Sequence, residues 1–292
     1  MPCTACTGAR RVVYFSKRHF NRGCVPANEK RFVIMPTMRR SRVLDLIRSG
    51  KKALTYKSNL TCPRVAEIAG MHGFDALWIC QEHVPTDQAT MENYIRAAKA
   101  YDMDTIVRVA KGSYSDYIRP LEADASAIMV PHLMSLDEAE YISRITRYKP
   151  VGRRPLDGGN ADGMFCQVDC REYMRFVNEN RMVIVQIEDP EPLAQLDKIC
   201  QVPGIDMIFF GPGDFSHSIG DPCNFANPEL ARVRKLVVET AHKYGKFAGT
   251  VASPSLKECF NMGYDFVSGG ADVVAIGQSC KKVLEAFAEV QA

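Results

Sequence analysis

The sequence predicts an α/β chain closed into a (β/α)8 barrel, and three observations carry that expectation. Eight short apolar runs alternate with segments of helical spacing from about residue 41 onward. Two of the runs, VIVQIEDPEP (Val183–Pro192) and MIFFGPGDFSHSIG (Met207–Gly220), stay apolar until they break into acid, proline and glycine. Strands covered on both faces read that way. The polar residues Lys57, Glu82, His83, Arg108, His132, Glu188 and Asp214 then fall at or just beyond the carboxyl ends of the first six runs. A barrel gathers its ligand-binding groups at that rim.

The elements follow in order. SRVLDLIRSG is a helix stopped by Gly50, ALTYKS (Ala53–Ser58) the first strand, and CPRVAEIAGMHG the next helix. FDALWI leads into CQEHVPTD, and helix ATMENYIRAAKAYD precedes the third strand, TIVRVA. KGSYSDYIRPLEA is helical, AIMVPHL is the fourth strand, and Ser135 with Glu138 forms a capping box for SLDEAEYISRITRY. Residues 149–180 are a Gly- and Arg-bearing excursion ending in the helix CREYMRFVNEN. The two runs named above are strands five and six, joined by the helical EPLAQLDKICQVPG. PELARVRKLVVETAHKYG, KFAGTVAS, SLKECFNMG and FVSGGADVVAIG supply the last helices and strands seven and eight. Residues 41–292 therefore read as a single barrel, and residues 1–40 as a basic, non-core N-terminal extension.

Composition bounds the function classes. The length of 292 residues suits one barrel, a fold that commonly runs about 250. No apolar run approaches the roughly 20 residues of a membrane span. The eleven cysteines are odd in number and scattered, which points to reduced thiols in a cytoplasmic protein. Cys3/Cys6 and Cys166/Cys170 lack the partners of a zinc site. The net charge of +3 misleads, because residues 1–42 hold ten basic residues against one acid, Glu29. The rest is mildly acidic, with no basic face for nucleic acid. The first 34 residues lack periodicity; they read as a targeting or disordered arm, or as sequence ahead of a start at Met35 or Met38.

Glu188 and Asp214 are the central candidates. Two carboxylates at the ends of neighbouring parallel strands repel unless a proton or a cation lies between them. A hard divalent ion such as Mg²⁺ fits that arrangement; the competing reading is two loop acids capping the helices that follow. His83 is a candidate general base, or a structural loop histidine. Arg108 interrupts an apolar strand and must meet a carboxylate, an anion or water. Glu122 either raises the basicity of a neighbouring histidine or is an exposed helix-end acid. Gln186 shares the strand face of Glu188, and the GPGD stretch around Gly213 offers backbone N–H groups to a carboxylate. No nucleotide-binding fingerprint occurs.

Several segments together resemble the HpcH/HpaI family of class II, metal-dependent pyruvate aldolases: GFDALWICQEH, the VRV strand with Arg108, IMVPHLMSLDEAE, YKPVGRR, VQIED and FFGPGDFSHSIG. The resemblance runs from about Val43 to Phe287. It implies a phosphoenolpyruvate/pyruvate-type barrel with its C-terminal helix exchanged between subunits of a trimer or hexamer. By that resemblance Glu188 and Asp214 hold Mg²⁺ or Mn²⁺, with Co²⁺ as a further candidate. Gln186, Gly213 and Asp214 bind the substrate, Arg108 stabilises the enolate and aldol oxyanion, and His83 is the base. Glu122 stands in for the acid that tunes it. The implied reaction cleaves a 2-oxo-3-deoxy or 4-hydroxy-2-oxo acid to pyruvate and an aldehyde. The alternatives are a related metal-enolate lyase or decarboxylase, of oxaloacetate or acyl-CoA type, and a non-catalytic keto-acid-binding barrel. A Schiff-base route through Lys57 would leave the paired carboxylates without a role.

The chain also departs from the family pattern. Cys80 stands where the family has an Asp three before the His, and LEADASA loses the glycines of the LDxGAxG turn. Tyr56 and Lys57 occupy the first strand where a Trp is usual, and GRRP replaces an Arg–Gly. The metal and pyruvate half of the site is thus expected intact, and the base and aldehyde half altered.

Overall fold

The computed structural model describes residues 37–291. Most of the expected N-terminal extension, residues 1–36, lies outside the described residues. The strands are β1 (Ala53–Ser58), β2 (Ala76–Cys80), β3 (Asp104–Arg108), β4 (Ala127–Val130), β5 (Met182–Ile187), β6 (Met207–Phe210), β7 (Phe247–Val251) and β8 (Phe266–Ala271). All pair in parallel with their sequence neighbours, and β8 pairs with β1 to close the barrel. The helices are α1 (Arg42–Arg48), α2 (Arg64–Met71), α3 (Gln88–Lys99), α4 (Tyr114–Glu122), α5 (Leu136–Thr146), α6 (Cys170–Asn180), α7 (Leu196–Ile199), α8 (Pro212–Ser218), α9 (Pro228–Lys243), α10 (Leu256–Asn261) and α11 (Asp272–Gln291). The eight-fold alternation expected from the sequence is the one observed.

Two expected elements differ. The eighth run does not continue as a strand through ADVVAIG: β8 ends at Ala271, and Asp272 opens α11. The Asp272 carboxylate accepts from Ser58 Oγ, Asn59 N and Leu60 N at 2.8–3.0 Å, which ties the end of β8 to the loop after β1. The crossover between β5 and β6 is a 3₁₀ turn (Glu191–Gln195) and the four-residue α7 rather than one long helix.

Alternation along the strands sorts the core into two shells. Leu77, Ile79, Val107, Ile128, Val183, Val185, Ile208 and Phe210 point outward and pack under Tyr94 of α3, Ile142 of α5 and Val233 and Val237 of α9. Ala53, Ala76, Trp78, Ile106, Met129, Ile184, Phe209 and Phe266 fill the barrel interior, closed from below by Val43, Leu44 and Ile47 of α1. The bottom is therefore apolar and plugged, and the polar inward residues of the last layer face the opposite mouth.

One buried carboxylate holds the plug. Asp104 accepts from Ser41 Oγ (2.6 Å), Val43 N (2.9 Å), Arg42 N (3.2 Å) and Arg39 Nη1 (2.7 Å). Met38 packs on Tyr148 and Tyr173, so contact with the body begins just ahead of residue 41. The excursion over 149–180 lies at the same lower end. A fully buried Arg154–Asp162 pair (2.8 Å) and the Tyr173 hydroxyl, which donates to Asp162 (2.8 Å), hold it there.

At the other extreme is α11, of which only Asp272 is buried. Val283, Leu284, Phe287 and Val290 are exposed along it.

Replacing Asp104 by Ala leaves the Ser41 hydroxyl and the N-terminal N–H groups of α1 without their acceptor, while Arg39 keeps Asp102. The expected cost is about 3–5 kcal/mol, read as a lowered denaturation midpoint with the slope unchanged.

Candidate active site

The mouth is built from the carboxyl ends of β1 to β6. Glu188 follows β5 directly and is 1% exposed. Its Oε1 accepts from His132 N at 2.8 Å, and its Oε2 accepts from Gln186 Nε2 at 3.1 Å. Gly211 presses on the same carboxylate: a Cβ there would meet Glu188 Oε2 at 2.5 Å, so only glycine admits this packing. Asp214 sits in the first turn of α8 with its side chain open to the mouth. Burial, and further down the order the negative charge of Asp214, push Glu188 up to about 7; the His132 N–H pulls the other way. Between the two acids there is a deficit of positive charge.

The other expected residues distribute unevenly. Arg108 is buried at the end of β3; its Nε lies 3.0 Å from Glu82 Oε2, off hydrogen-bond angle, and its Nη2 donates to Cys80 Sγ at 3.1 Å. Cys80 thus receives Arg108, and it touches His83 only through the His83 backbone N–H at 3.4 Å. The exposed His83 ring has Glu82 as its acid, with Nε2 3.5 Å from Oε2. Gln186 has its Nε2 engaged by Glu188, while its buried Oε1 has no donor. Gly213 opens the same first turn as Asp214, with free space where a Cβ would go.

Glu122 stands apart. It ends α4, which runs back toward the amino ends of the strands, so it lies at the lower end of the barrel near Arg154 and Asp162. Burial raises its carboxyl above the usual range, with Arg154 opposing. Within one chain it is not a neighbour of His83. The LEADASA turn precedes β4 rather than following it, and that sets the separation.

Three groups at the mouth had no assigned part in the sequence reading. His132 adopts φ +46° at the end of β4. Its Nδ1 pairs with Asp189 Oδ2 at 2.8 Å, and its Nε2 lies 3.8 Å from both Glu82 Oε1 and Glu188 Oε1. Burial opposes its charging, but the Asp189 hydrogen bond and the Glu188, Asp189 and Glu82 charges raise it above the ordinary histidine value. Asp189 is also bound by Ser218 Oγ at 3.0 Å. Glu82 joins Arg108, His83 and His132 into one network. Its position beside His83 in the EH pair and that of Asp189 beside Glu188 were the available signals.

The family model for HpcH/HpaI aldolase/citrate lyase matches residues 57–286, the whole of this rim. The chain belongs to the HpcH/HpaI aldolase/citrate lyase family. It is 30% identical over 245 residues to the 2-keto-3-deoxy-L-rhamnonate aldolase of Shigella boydii serotype 4 (strain Sb227), covering 83% of this chain and 91% of that one. To the same-named enzyme of Salmonella gallinarum it is 30% identical over 248 residues, covering 84% and 92%. Among solved structures, citrate synthase SbnG superimposes with TM-score 0.77 at 27% identity, over 85% of this chain and 97% of that one. A HpcH/HpaI family protein from Burkholderia cenocepacia J2315 gives 0.75 at 26%, over 82% and 95%. The protein is a lyase of the aldolase type, from a family that works with a divalent metal.

The residues present fit such an ion. Glu188, Asp214 and the unpaired Gln186 Oε1 are hard oxygen donors, and the raised Glu188 asks for a nearby positive charge. Among the described residues no three His, Cys, Asp or Glu side chains form a ligand cluster. The two acids would therefore leave most of the coordination shell to water and substrate.

Without metal, the pH dependence of stability follows from the sign of the shift. Glu188 titrates near 7 in the fold and near 4.5 when unfolded. The benefit of its neutral form is full below about 4.5 and lost as pH rises through 7. Metal-free Glu188→Gln is thus expected to exceed metal-free wild type by about 1–3 kcal/mol at pH 8, with the gap closing at pH 4. Denaturant melts at the two pH values check this.

Proposed function

We propose that the protein cleaves a 2-oxo-3-deoxy or 4-hydroxy-2-oxo acid reversibly to pyruvate and an aldehyde. The observation that carries this reading is the buried Glu188, raised to about 7 beside Asp214 and facing Arg108 across the mouth. Glu188 and Asp214 would hold Mg²⁺ or Mn²⁺, or Co²⁺, which when bound draws electron density from the 2-oxo group. Gln186 keeps Glu188 oriented. The backbone at Gly213 and Asp214 opens toward the bound carboxylate.

Arg108 is a fixed cation with little freedom to relax, held by Glu82, Cys80 and the Trp78 ring. A preset charge of this kind stabilises an oxyanion that develops next to it. His83 moves the proton of the aldol hydroxyl, with Glu82 supplying the carboxylate that Cys80 does not. The base side is thus rebuilt around a different acid, and that acid partly neutralises the field of Arg108. The 2-keto-3-deoxy-L-rhamnonate aldolases support this substrate class, since their named substrate is a 2-oxo-3-deoxy acid. The scattered free thiols favour a cytoplasmic location.

The exposed apolar stripe of α11 supports a homo-oligomer in which this helix packs on another subunit. The trimer or hexamer rests on the family resemblance. Removing residues 273–292 is expected to yield monomers by light scattering, where the full chain is a defined oligomer.

Turnover and metal are tested together. Hydrogen–deuterium exchange at the pyruvate methyl, followed by NMR, is expected to stop with EDTA and return with Mg²⁺ or Mn²⁺. Glu188→Gln should reduce it by at least about 10³-fold. Exchange that persists in EDTA or in this variant refutes the assignment. Because one proton must leave Glu188, the apparent metal affinity should fall about tenfold per pH unit below 7, as calorimetry at pH 6 and pH 8 would show.

A further inference from the structure

The carboxyl end of β4 carries a strained residue at the mouth. His132 has a left-handed backbone, φ +46°. For a residue with a Cβ that conformation is unfavourable, and it persists only where the surroundings fix it. Its consequence is local. The His132 N–H donates to Glu188 Oε1 at 2.8 Å, and the next amide, Leu133 N, donates to Gln186 O at 3.1 Å. Two successive N–H groups therefore address β5, one meeting the strand and the other the carboxylate beyond it.

Three elements hold the turn in place. Lys111, in the loop between β3 and α4, donates through Nζ to His132 O and pairs with Glu138 Oε1 at 2.7 Å. Glu138 lies in the first turn of α5, and its other oxygen accepts from Met134 N at 2.9 Å. On the far side His132 Nδ1 pairs with Asp189 Oδ2 at 2.8 Å, and Asp189 is itself bound by Ser218 Oγ of α8 at 3.0 Å. The His132 peptide is thus gripped at its carbonyl by one loop and at its ring by another, while its N–H is spent on Glu188.

Lys111 is the part of this bracket that the chemistry above does not use. Its polar partners among the described residues are His132 O and Glu138 Oε1, so its contact influence on Glu188 passes through the His132 backbone. An ammonium at the rim would, by charge alone, oppose a cation in the mouth. Holding the turn does the reverse, and the two effects have opposite signs.

We propose that Lys111 is a positioning residue for the metal carboxylate: by holding His132 O it keeps the His132 N–H aimed at Glu188 Oε1, so that Glu188 presents one fixed orientation to the mouth. Groups that orient a metal ligand from behind contribute to affinity without touching the ion. The inference rests on the reading of Glu188 as a metal ligand, and its test separates the two.

Metal-free wild type, Lys111→Met and Lys111→Arg are compared by backbone hydrogen exchange, read on peptides spanning His132. Exchange there should quicken about tenfold in Lys111→Met and stay near wild type in Lys111→Arg, which keeps a donor. Calorimetry with Mn²⁺ reads the consequence: Kd should weaken about 5- to 10-fold in Lys111→Met and recover in Lys111→Arg. Pyruvate methyl exchange by Lys111→Met should recover at saturating Mn²⁺, which places the defect in metal capture and not in turnover. Unchanged exchange at His132, unchanged Mn²⁺ affinity, or Mn²⁺ bound more tightly by Lys111→Met would each overturn the proposal. A lowered denaturation midpoint with Kd unaltered would likewise mark a merely structural lysine. If wild type binds no Mn²⁺, the metal reading of Glu188 fails, and the hydrogen exchange still decides whether Lys111 holds His132.

Discussion

The arrangement at the mouth depends on one unfavourable contact: Glu188 is buried, and Asp214 is close enough to oppose its ionisation. In water two such carboxylates would separate. Here Glu188 follows β5 directly and Asp214 lies in the first turn of α8 just past the neighbouring β6, and Gly211 and the His132 N–H leave Glu188 no way out. The fold thus stores a demand for positive charge at a chosen point. A divalent ion meets that demand, and an ion so held has positions open for a 2-oxo acid.

The same arithmetic of charge organises the rest of the rim. Arg108 is balanced by Glu82 and His132 by Asp189. A barrel interior offers little solvent to hide an imbalance, so each cation must find an acid in the protein or in the ligand. Cys80 sharpens the contrast with the family pattern. Its thiol sulfur accepts from Arg108 but brings no full charge, which makes Glu82 the shared acid of Arg108 and His83.

The two ends of the barrel divide stability from chemistry. At the lower end Asp104 ties four donors around α1, and Arg154, Asp162 and Tyr173 anchor the excursion. At the upper end the buried Gln186 Oε1 has no donor, and Asp214 is exposed toward solvent. Binding energy is available where bonding capacity is unspent.

The strand–helix alternation and the rim position of Glu188, Asp214, His83 and Arg108 were legible in the sequence. Periodicity and strand ends are local properties, and each strand end carries its polar residue with it. The end of β8 at Ala271 was not legible, because ADVVAIG is apolar enough for either element. The decision came from Asp272 gripping the loop after β1, a contact between residues more than 200 apart in the chain. Glu122 was placed by motif and not by direction, so its position below the barrel emerged only when α4 was traced downward. The pairings of Glu82 with Arg108 and of His132 with Asp189 were likewise decided by tertiary structure. They depend on which strands become neighbours, and that is not written within a single stretch of chain.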